Sequence, residues 1–578
     1  MNISNLNKAA ILLGRMGDKN KPTQPIIPHK HEKPAFRPLK ADTSFKRCAP
    51  EEVGISSLSI TRFLDTLSSD KSLHMHSIIM SRHGKIFCEA TFGTQRLDVH
   101  KATFSLCKSV VSLAVGIAID EGLISHDTRI IDIFHDLCNP IIRMKLKELT
   151  VHHLLTMQSG VQFNELECMT DSDWVRSFLR SGTVDMGKKF NYNSLNTYML
   201  AAVLHRVTGM SFKDYLDKKL FAPLNITDYH WEKCPNGIEK GGWGLYISPY
   251  DVLKIGTLVL NGGEWNGKQI ISEAYITAAT SFKVSTPKSC GAFDYGYQMW
   301  VGRNSNTFLF NGMFGQNCLG FKDNGVVIVS FAGCDELFQR SSYYSLALDL
   351  FDKDLPDKLP STPKDFKAML CFIDTLKYTV KKPSLFAKIL KRNNDQEKLK
   401  KIRDKILTTD TANCIGLLPM VLQAAHNNYS CGLESISFKE NKNGFFMEYN
   451  EHNAQHTLPL DMTRAMHTEL VFDNDSYLVS ATCRFAENEY GQTVFLVFLD
   501  FLETPCTRCL KFVFEDESIY LRQSESPGKK TVTDLIDNAL HTLSGKPIIS
   551  TVMGKMDKDY ILYKTDRVFE PEIKLSIK

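Results

Sequence analysis

Ser105 and Lys108 stand three residues apart at the head of "TFSLCKSVVSLAVGIAIDEGLIS", Thr103 to Ser125. Spaced i and i+3 on a helix, two side chains are neighbours, with Cβ atoms roughly 5–6 Å apart. A lysine that loses its proton through desolvation or nearby charge can take the hydroxyl proton of such a serine. A serine at a helix start also has free backbone N–H groups beside it, which stabilise developing negative charge. Phe104 and the small or apolar Val110, Val111, Ala114 and Val115 suit a buried helix that keeps water away. Taken alone, the pair is equally the polar start of a core helix, and Ser285 and Lys288 repeat the same spacing.

What singles out Ser105 is the order of the elements that follow. "KKFNYNSLNTYMLAAVLHRVTGMSFKDYL" holds Tyr192-Asn193-Ser194; "LTVHHLLTMQSGV" and "GWGLYISPYDVLKIGTLVLNGGEWNGKQIIS" flank it, and "YGYQMWV" and Phe310-Asn311-Gly312-Met313 come later. S-x-x-K followed by second and third polar elements marks penicillin-binding proteins and serine β-lactamases. Residues 50 to about 352 resemble that superfamily, closest in style to 6-aminohexanoate-oligomer hydrolases and carboxylesterase-type members. Departures are visible: Ser194 stands where Asn is usual, Met157 where His is common, and Phe314 replaces the first glycine of a G-G-Q run.

The resemblance implies roles residue by residue. Ser105 is the acyl-accepting nucleophile, Lys108 holds its hydroxyl, and Tyr192 serves as general base and acid. The oxyanion hole uses the N–H groups of Ser105 and Met313, with Gly312 permitting close approach of substrate. Ser194, Asn311 and Gly312 support the proton network or the substrate. Asn311 replaces a basic residue or His, which argues against a preference for the carboxylate of penicillins. No metal or cofactor is implied.

Each candidate has a structural alternative. Tyr192 reads as a half-buried core tyrosine when its flanking pattern is ignored, and Asp251 as part of the cap begun by Ser248 and Pro249 rather than as a catalytic acid. Cys107 reads as packing, and His152 and His153 as helix residues under the floor of the site. Cys506 and Cys509 have the spacing of half a zinc site, with no second pair nearby.

The elements that must position these residues alternate. "CAPEEVGISSLSITRFLDTL" has helical spacing; "MHSIIMSRHGKIFCEATFG" reads as a hairpin turning at Arg82-His83-Gly84. Residues 125–240 read as helical with irregular connections. Strands follow between 290 and 335, with Asp323-Asn324-Gly325 as a hairpin turn, then the helix pattern "SSYYSLALDLF". The expected fold is α/β (α+β): an antiparallel sheet flanked by helices with an all-helical insertion, β-lactamase/transpeptidase-like by resemblance. Expected boundaries are a Pro- and Lys-rich, solvated extension over 1–45, the hydrolase-like domain over 46–355, a linker and helical segment over 356–430, and a β-rich domain over 431–578. The basic stretch from 380 to 406 reads as a solvated face, with a membrane surface as the alternative, and "TVTDLIDNALHTL" as a last helix.

Composition agrees with a multidomain globular protein: 578 residues, 43% hydrophobic and 23% charged. A net charge of +4 over that length gives no footprint for nucleic acid. No stretch approaches the roughly 20 apolar residues of a membrane span, and 15 scattered cysteines suit a reducing compartment, so a cytoplasmic location is expected. Nothing in the residues sets an oligomeric state. The expected activity is hydrolysis of a small-molecule ester or amide through an acyl-enzyme on Ser105. A D-amino-acid peptidase or β-lactamase is the alternative on the same fold, and a catalytically degenerate binding or scaffold protein the alternative of another class.

Overall fold

The computed structural model describes residues 25–27, 29, 33–335, 340–377, 397–400, 402–409, 415–430, 432–451, 454–515, 518–528, 530 and 569–578. The chain divides into two compact units: residues 37–377 with 1–9, and residues 10–36 with 378–578.

The first unit is built on an eight-stranded sheet. Its strands are β1 (Lys46–Arg47), β2 (Met75–Arg82), β3 (Lys85–Thr91), β9 (Phe293–Tyr295), β10 (Trp300–Gly302), β11 (Thr307–Gly312), β12 (Gln316–Phe321) and β13 (Val326–Ala332), in the order β1-β3-β2-β13-β12-β11-β10-β9. Every pairing is antiparallel except the short β1–β3 contact. The turn at His83-Gly84, both at positive φ, closes the β2–β3 hairpin as the sequence predicts. Helices cover both faces, which is why strands such as "VVIVSFA" are apolar throughout rather than alternating. On one face Phe308, Phe310 and Val327 pack with α2 (Cys107–Asp120), α4 (Ser194–Thr208) and α5 (Pro249–Leu260). On the other, Leu309, Leu319 and Ile328 pack with α1 (Ser57–Ser69), α6 (Ser342–Phe351) and α7 (Pro363–Leu376).

The insertion is mainly helical with irregular connections and carries α3 (Val151–Leu155) and α4. It is not all-helical: it closes on β5 (Tyr229–Trp231), which pairs with β6 (Leu245–Ile247), itself paired with β4 (Lys101–Ala102) just before the nucleophile candidate. A small hairpin, β7 (Glu264–Trp265) with β8 (Lys268–Gln269), follows α5. "YGYQMWV" is not one strand. Gly296 to Gln298 turn the chain between β9 and β10, because a Cβ on Gly296 would meet Ala279 O at 2.0 Å and Gln298 holds φ +56°.

The boundary expected at 355 lies after 377. Arg82, 3% exposed, donates to the carbonyls of Asn324, Val53, Pro356 and Leu355 and ties the proline-rich stretch to the sheet. Met369 and Ile373 of α7 then join the core beside α1.

The second unit is one ten-stranded sheet of β14 (Ile406–Thr409), β15 (Leu433–Asn441), β16 (Gly444–Glu451), β17 (Ala454–Leu460), β18 (Met466–Phe472), β19 (Asp475–Glu487), β20 (Thr493–Phe501), β21 (Thr507–Phe514), β22 (Ile519–Ser526) and β23 (Glu572–Ile577). Its order runs β17-β16-β15-β14-β23-β22-β21-β20-β19-β18, and the edge strands β17 and β18 adjoin, so the sheet curls into a near-barrel. Phe438, Phe495, Phe512 and Tyr477 fill the interior.

Lys33 corrects the expectation of a solvated extension. Its side chain is 1% exposed and donates to both carboxylate oxygens of Glu503 at 2.8 Å and to Ser476 O at 2.7 Å. Cys506 joins the barrel interior while Cys509 packs in a separate cluster, so the two thiols do not converge. Among the described residues no group of His, Cys, Asp and Glu could hold a metal, and no helix is long and apolar enough to cross a membrane. Most of the basic 380–406 stretch and all of "TVTDLIDNALHTL" lie outside the described residues.

Candidate active site

Ser105 sits in a single 3-10 turn, Phe104–Leu106, that runs directly into α2. Phe104 adopts φ +47°, a conformation that costs a non-glycine residue of order 1 kcal/mol and persists where surroundings enforce it. Here they do: Thr103 N–H and Oγ both donate to Leu245 O, and the Phe104 ring packs edge-on to Phe314 at 5.2 Å. The turn leaves Ser105 half-buried and sends Lys108, 1% exposed, into the protein.

Lys108 Nζ donates to Ser105 Oγ at 2.7 Å, to Ser194 Oγ at 3.0 Å and to Gly242 O at 2.6 Å. An ammonium has three protons, and these three acceptors, all uncharged, use them. Ser194 is the first residue of α4, and Asn193 caps the helix by accepting from Leu195 N–H at 2.9 Å while donating to Val161 O and Phe163 O. Gly242 reaches Lys108 because it has no side chain: a Cβ there would lie 2.5 Å from Ser194 O. Tyr192 presents its ring to Lys108 Nζ, 5.0 Å from the centroid, and stacks on Trp300 at 6.0 Å. Its hydroxyl has no hydrogen-bond partner among the described residues, which leaves it available to a substrate.

The third element arrives along β11. Gly312 abuts the turn that leads into Ser105, and a Cβ on it would fall 2.2 Å from Thr103 O. Met313 is the next residue along the chain. The following turn holds Phe314 at φ +69° and Gly315 at φ +88°, braced by Gln316 Nε2 donating to Ala332 O at 2.7 Å.

The structure thus brings together Ser105, Lys108, Ser194 and the Tyr192 ring, with Gly312 against the turn before Ser105. Asn311 is set apart. Alternation along β11 puts it on the face of Leu309, where its Nδ2 donates to Asn317 Oδ1 and Tyr344 OH, both at 2.9 Å. Asn311 braces β11 from behind and does not take the place of a substrate-facing cation. Asp251 pairs with Lys254 at 2.7 Å, and His153 caps α3 by accepting from Thr150 N–H. Burial pushes the Cys107 thiol up to about 12, so it stays protonated beside Ser105.

Gly242 and Glu165 were not singled out by residue type. Glu165 accepts from Ser194 N–H at 3.0 Å and satisfies the start of α4. The adjacent glycines 241 and 242 are the one sequence signal that backbone approaches closely here.

Comparison with known proteins adds the family. The model of the family described as Beta-lactamase matches residues 71–339. An uncharacterized protein of Alkalihalophilus pseudofirmus is 26% identical over 198 residues, which is 31% of this chain and 54% of that protein. A 6-aminohexanoate-dimer hydrolase of Paenarthrobacter ureafaciens is 26% identical over 200 residues, 31% of this chain and 50% of its own. The chain spans about half the length of these curated relatives. Among solved structures, a penicillin binding protein from Bacillus halodurans aligns with a TM-score of 0.38 at 18% identity, covering 50% of this chain and 98% of its own. The chain is therefore beta-lactamase-related, with a domain of the Beta-lactamase family, of β-lactamase/transpeptidase-like fold, over residues 71–339.

Proposed function

We propose that the first unit is a serine hydrolase that cleaves an ester or amide through an acyl-enzyme on Ser105. The observation that carries this reading is the 2.7 Å contact between Lys108 Nζ and Ser105 Oγ, made by a buried lysine whose other two contacts are fixed by Ser194 and Gly242.

Ser105 Oγ attacks the substrate carbonyl carbon as it gives its proton to Lys108, which must enter this step as the free amine, one proton short of the form that donates to all three acceptors. The N–H groups of Ser105 and Met313 receive the tetrahedral oxyanion. Collapse breaks the ester or amide bond, and the departing alcohol or amine takes a proton from Tyr192. Water then adds to the acyl carbon and gives its proton to the Tyr192 phenolate, Lys108 returns its proton to Ser105 Oγ as the acyl bond breaks, and the acid and free Ser105 are released. The second unit is accessory to this chemistry. Every described cysteine is a free thiol, which supports a reducing, cytoplasmic setting.

A fluorophosphonate probe tests the reading directly. The wild type is expected to label and Ser105→Ala to remain unlabelled; equal labelling, or none of the wild type, removes Ser105 as nucleophile. Hydrolysis of p-nitrophenyl esters, nitrocefin, D-alanyl amides and the 6-aminohexanoate dimer then separates esterase from β-lactamase, peptidase and amide-dimer hydrolase. The amide dimer belongs in that panel because a matched relative is named for it.

A further inference from the structure

Gln298 touches neither Ser105 nor Lys108, yet it is bonded to the helices that carry the site. It lies in the turn between β9 and β10, is 2% exposed, and holds φ +56°. A glutamine in that conformation is strained by of order 1 kcal/mol and needs compensation from its surroundings. The compensation is complete. Its backbone N–H donates to Leu155 O at 3.0 Å, and its Nε2 donates to Leu154 O at 2.7 Å and Leu155 O at 3.3 Å, all at the end of α3. Its Oε1 accepts from Thr197 Oγ at 2.6 Å, and its carbonyl accepts from Ser109 Oγ at 2.8 Å.

The two hydroxyl partners are placed tellingly. Ser109 follows Lys108 on α2, and Thr197 lies one turn beyond Ser194 on α4. Both are buried, so neither bond has water to replace it. One residue therefore spans the two helices whose separation sets the Lys108–Ser194 contact of 3.0 Å.

We propose that Gln298 is a positioning residue for the hydrolysis, holding α2 and α4 at the spacing that lets Lys108 engage Ser105 and Ser194 together. The proposal rests on the reading of Ser105 as nucleophile. It goes beyond that reading by assigning the alignment of the proton-transfer groups to a residue outside the site. A merely structural bond would support folding without tuning the chemistry. Alignment makes the opposite demand, because displacing a reacting group by about 1 Å costs on the order of a hundredfold in rate.

The test compares Thr197→Val, Thr197→Ser and Gln298→Ala with the wild type, by kcat, KM and the pH profile of ester hydrolysis, alongside Tm. Thr197→Val is expected to lose about tenfold or more in kcat with KM within about twofold. It should also shift the pH profile of kcat from that of the wild type, which Thr197→Ser should restore. Thr197→Ser restores the hydroxyl and should restore kcat. Gln298→Ala combined with Thr197→Val should be no slower than Gln298→Ala alone, since both remove one bond. If Gln298→Ala does not fold, the Thr197 pair still decides. A lowered Tm with kcat and pH profile unchanged in Thr197→Val overturns the positioning role while leaving Ser105 untouched. A wild type that fluorophosphonate does not label overturns the underlying reading instead, and this inference with it.

Discussion

A Cβ atom on Gly312 would lie 2.2 Å from the carbonyl oxygen of Thr103, well inside van der Waals contact, so the end of β11 and the turn before Ser105 meet backbone to backbone. Gly312→Ala must push them apart. On the proposed reading the Met313 N–H, an oxyanion donor, is displaced with the end of β11, and loss of one such donor costs about 10²–10³-fold in kcat. The expected outcome is that loss in steady-state ester hydrolysis with KM little changed. Near-wild-type kcat would mean that Met313 is not an oxyanion donor.

Removing Lys108 has two consequences that separate experimentally. In Lys108→Met the acceptors Gly242 O and Ser194 Oγ lose their donor in a buried place, which costs about 1–3 kcal/mol of stability. The rate should fall further, on the order of 10³-fold or more, because among the described residues Lys108 is the hydrogen-bond partner of Ser105 Oγ. Lys108→Arg is not expected to rescue it. Three acceptors at 2.6–3.0 Å surround a compact ammonium, and a planar guanidinium cannot meet them. Urea unfolding followed by tryptophan emission gives the stability, and ester hydrolysis the rate.

How much of this was legible in the residues depends on the kind of contact. Ser105 and Lys108 can be paired from spacing alone, because helical geometry converts i and i+3 into distance. The hairpin at His83-Gly84 is legible for a similar reason, since two residues with positive φ are cheap only for a few types. Gly242 contributes a carbonyl, which every residue has, so no side-chain type announces it. Asn311 is recognisable as part of the third element, but its direction depends on the strand's alternation and on Tyr344 across the core. Gln298 is hidden inside a run that looks like one strand. Lys33 is the furthest from legible: it sits among prolines, and its partner Glu503 is 470 residues away.

That pair makes a prediction of its own. Breaking a buried ion pair by removing one partner leaves a bare charge inside and costs about 3–5 kcal/mol. Lys33→Met should therefore destabilise the second unit by that order. Replacing both charges, as in Lys33→Met with Glu503→Gln, should recover most of the loss. All 5 tryptophans lie between residues 174 and 300, in the first unit. Tryptophan emission should not follow the change, whereas hydrogen exchange in β19 and β20 should speed up. Unchanged exchange in Lys33→Met would show that the segment around Lys33 does not hold the barrel.

The last prediction concerns acid. Desolvation holds the pKa of fully buried His76 well below the ordinary histidine value, with Lys101 and His74 acting in the same direction. Burial likewise lowers His83, His126, His152 and His153, all in the first unit. For a group whose folded pKa is depressed, the unfolded chain binds the proton first. Stability is then unaffected well above the unfolded value near 6.5 and falls as pH drops through it. A fully buried neutral histidine adds a slope of up to about 1.4 kcal/mol per pH unit until its folded pKa is reached. Urea unfolding monitored by tryptophan emission should therefore show the first unit losing stability between about pH 6.5 and 5. His76→Gln, which carries no titrating proton, should flatten that slope even if it lowers stability at pH 7.5. A variant with the same slope as the wild type would mean that His76 is already protonated in the folded protein or that it does not stay buried.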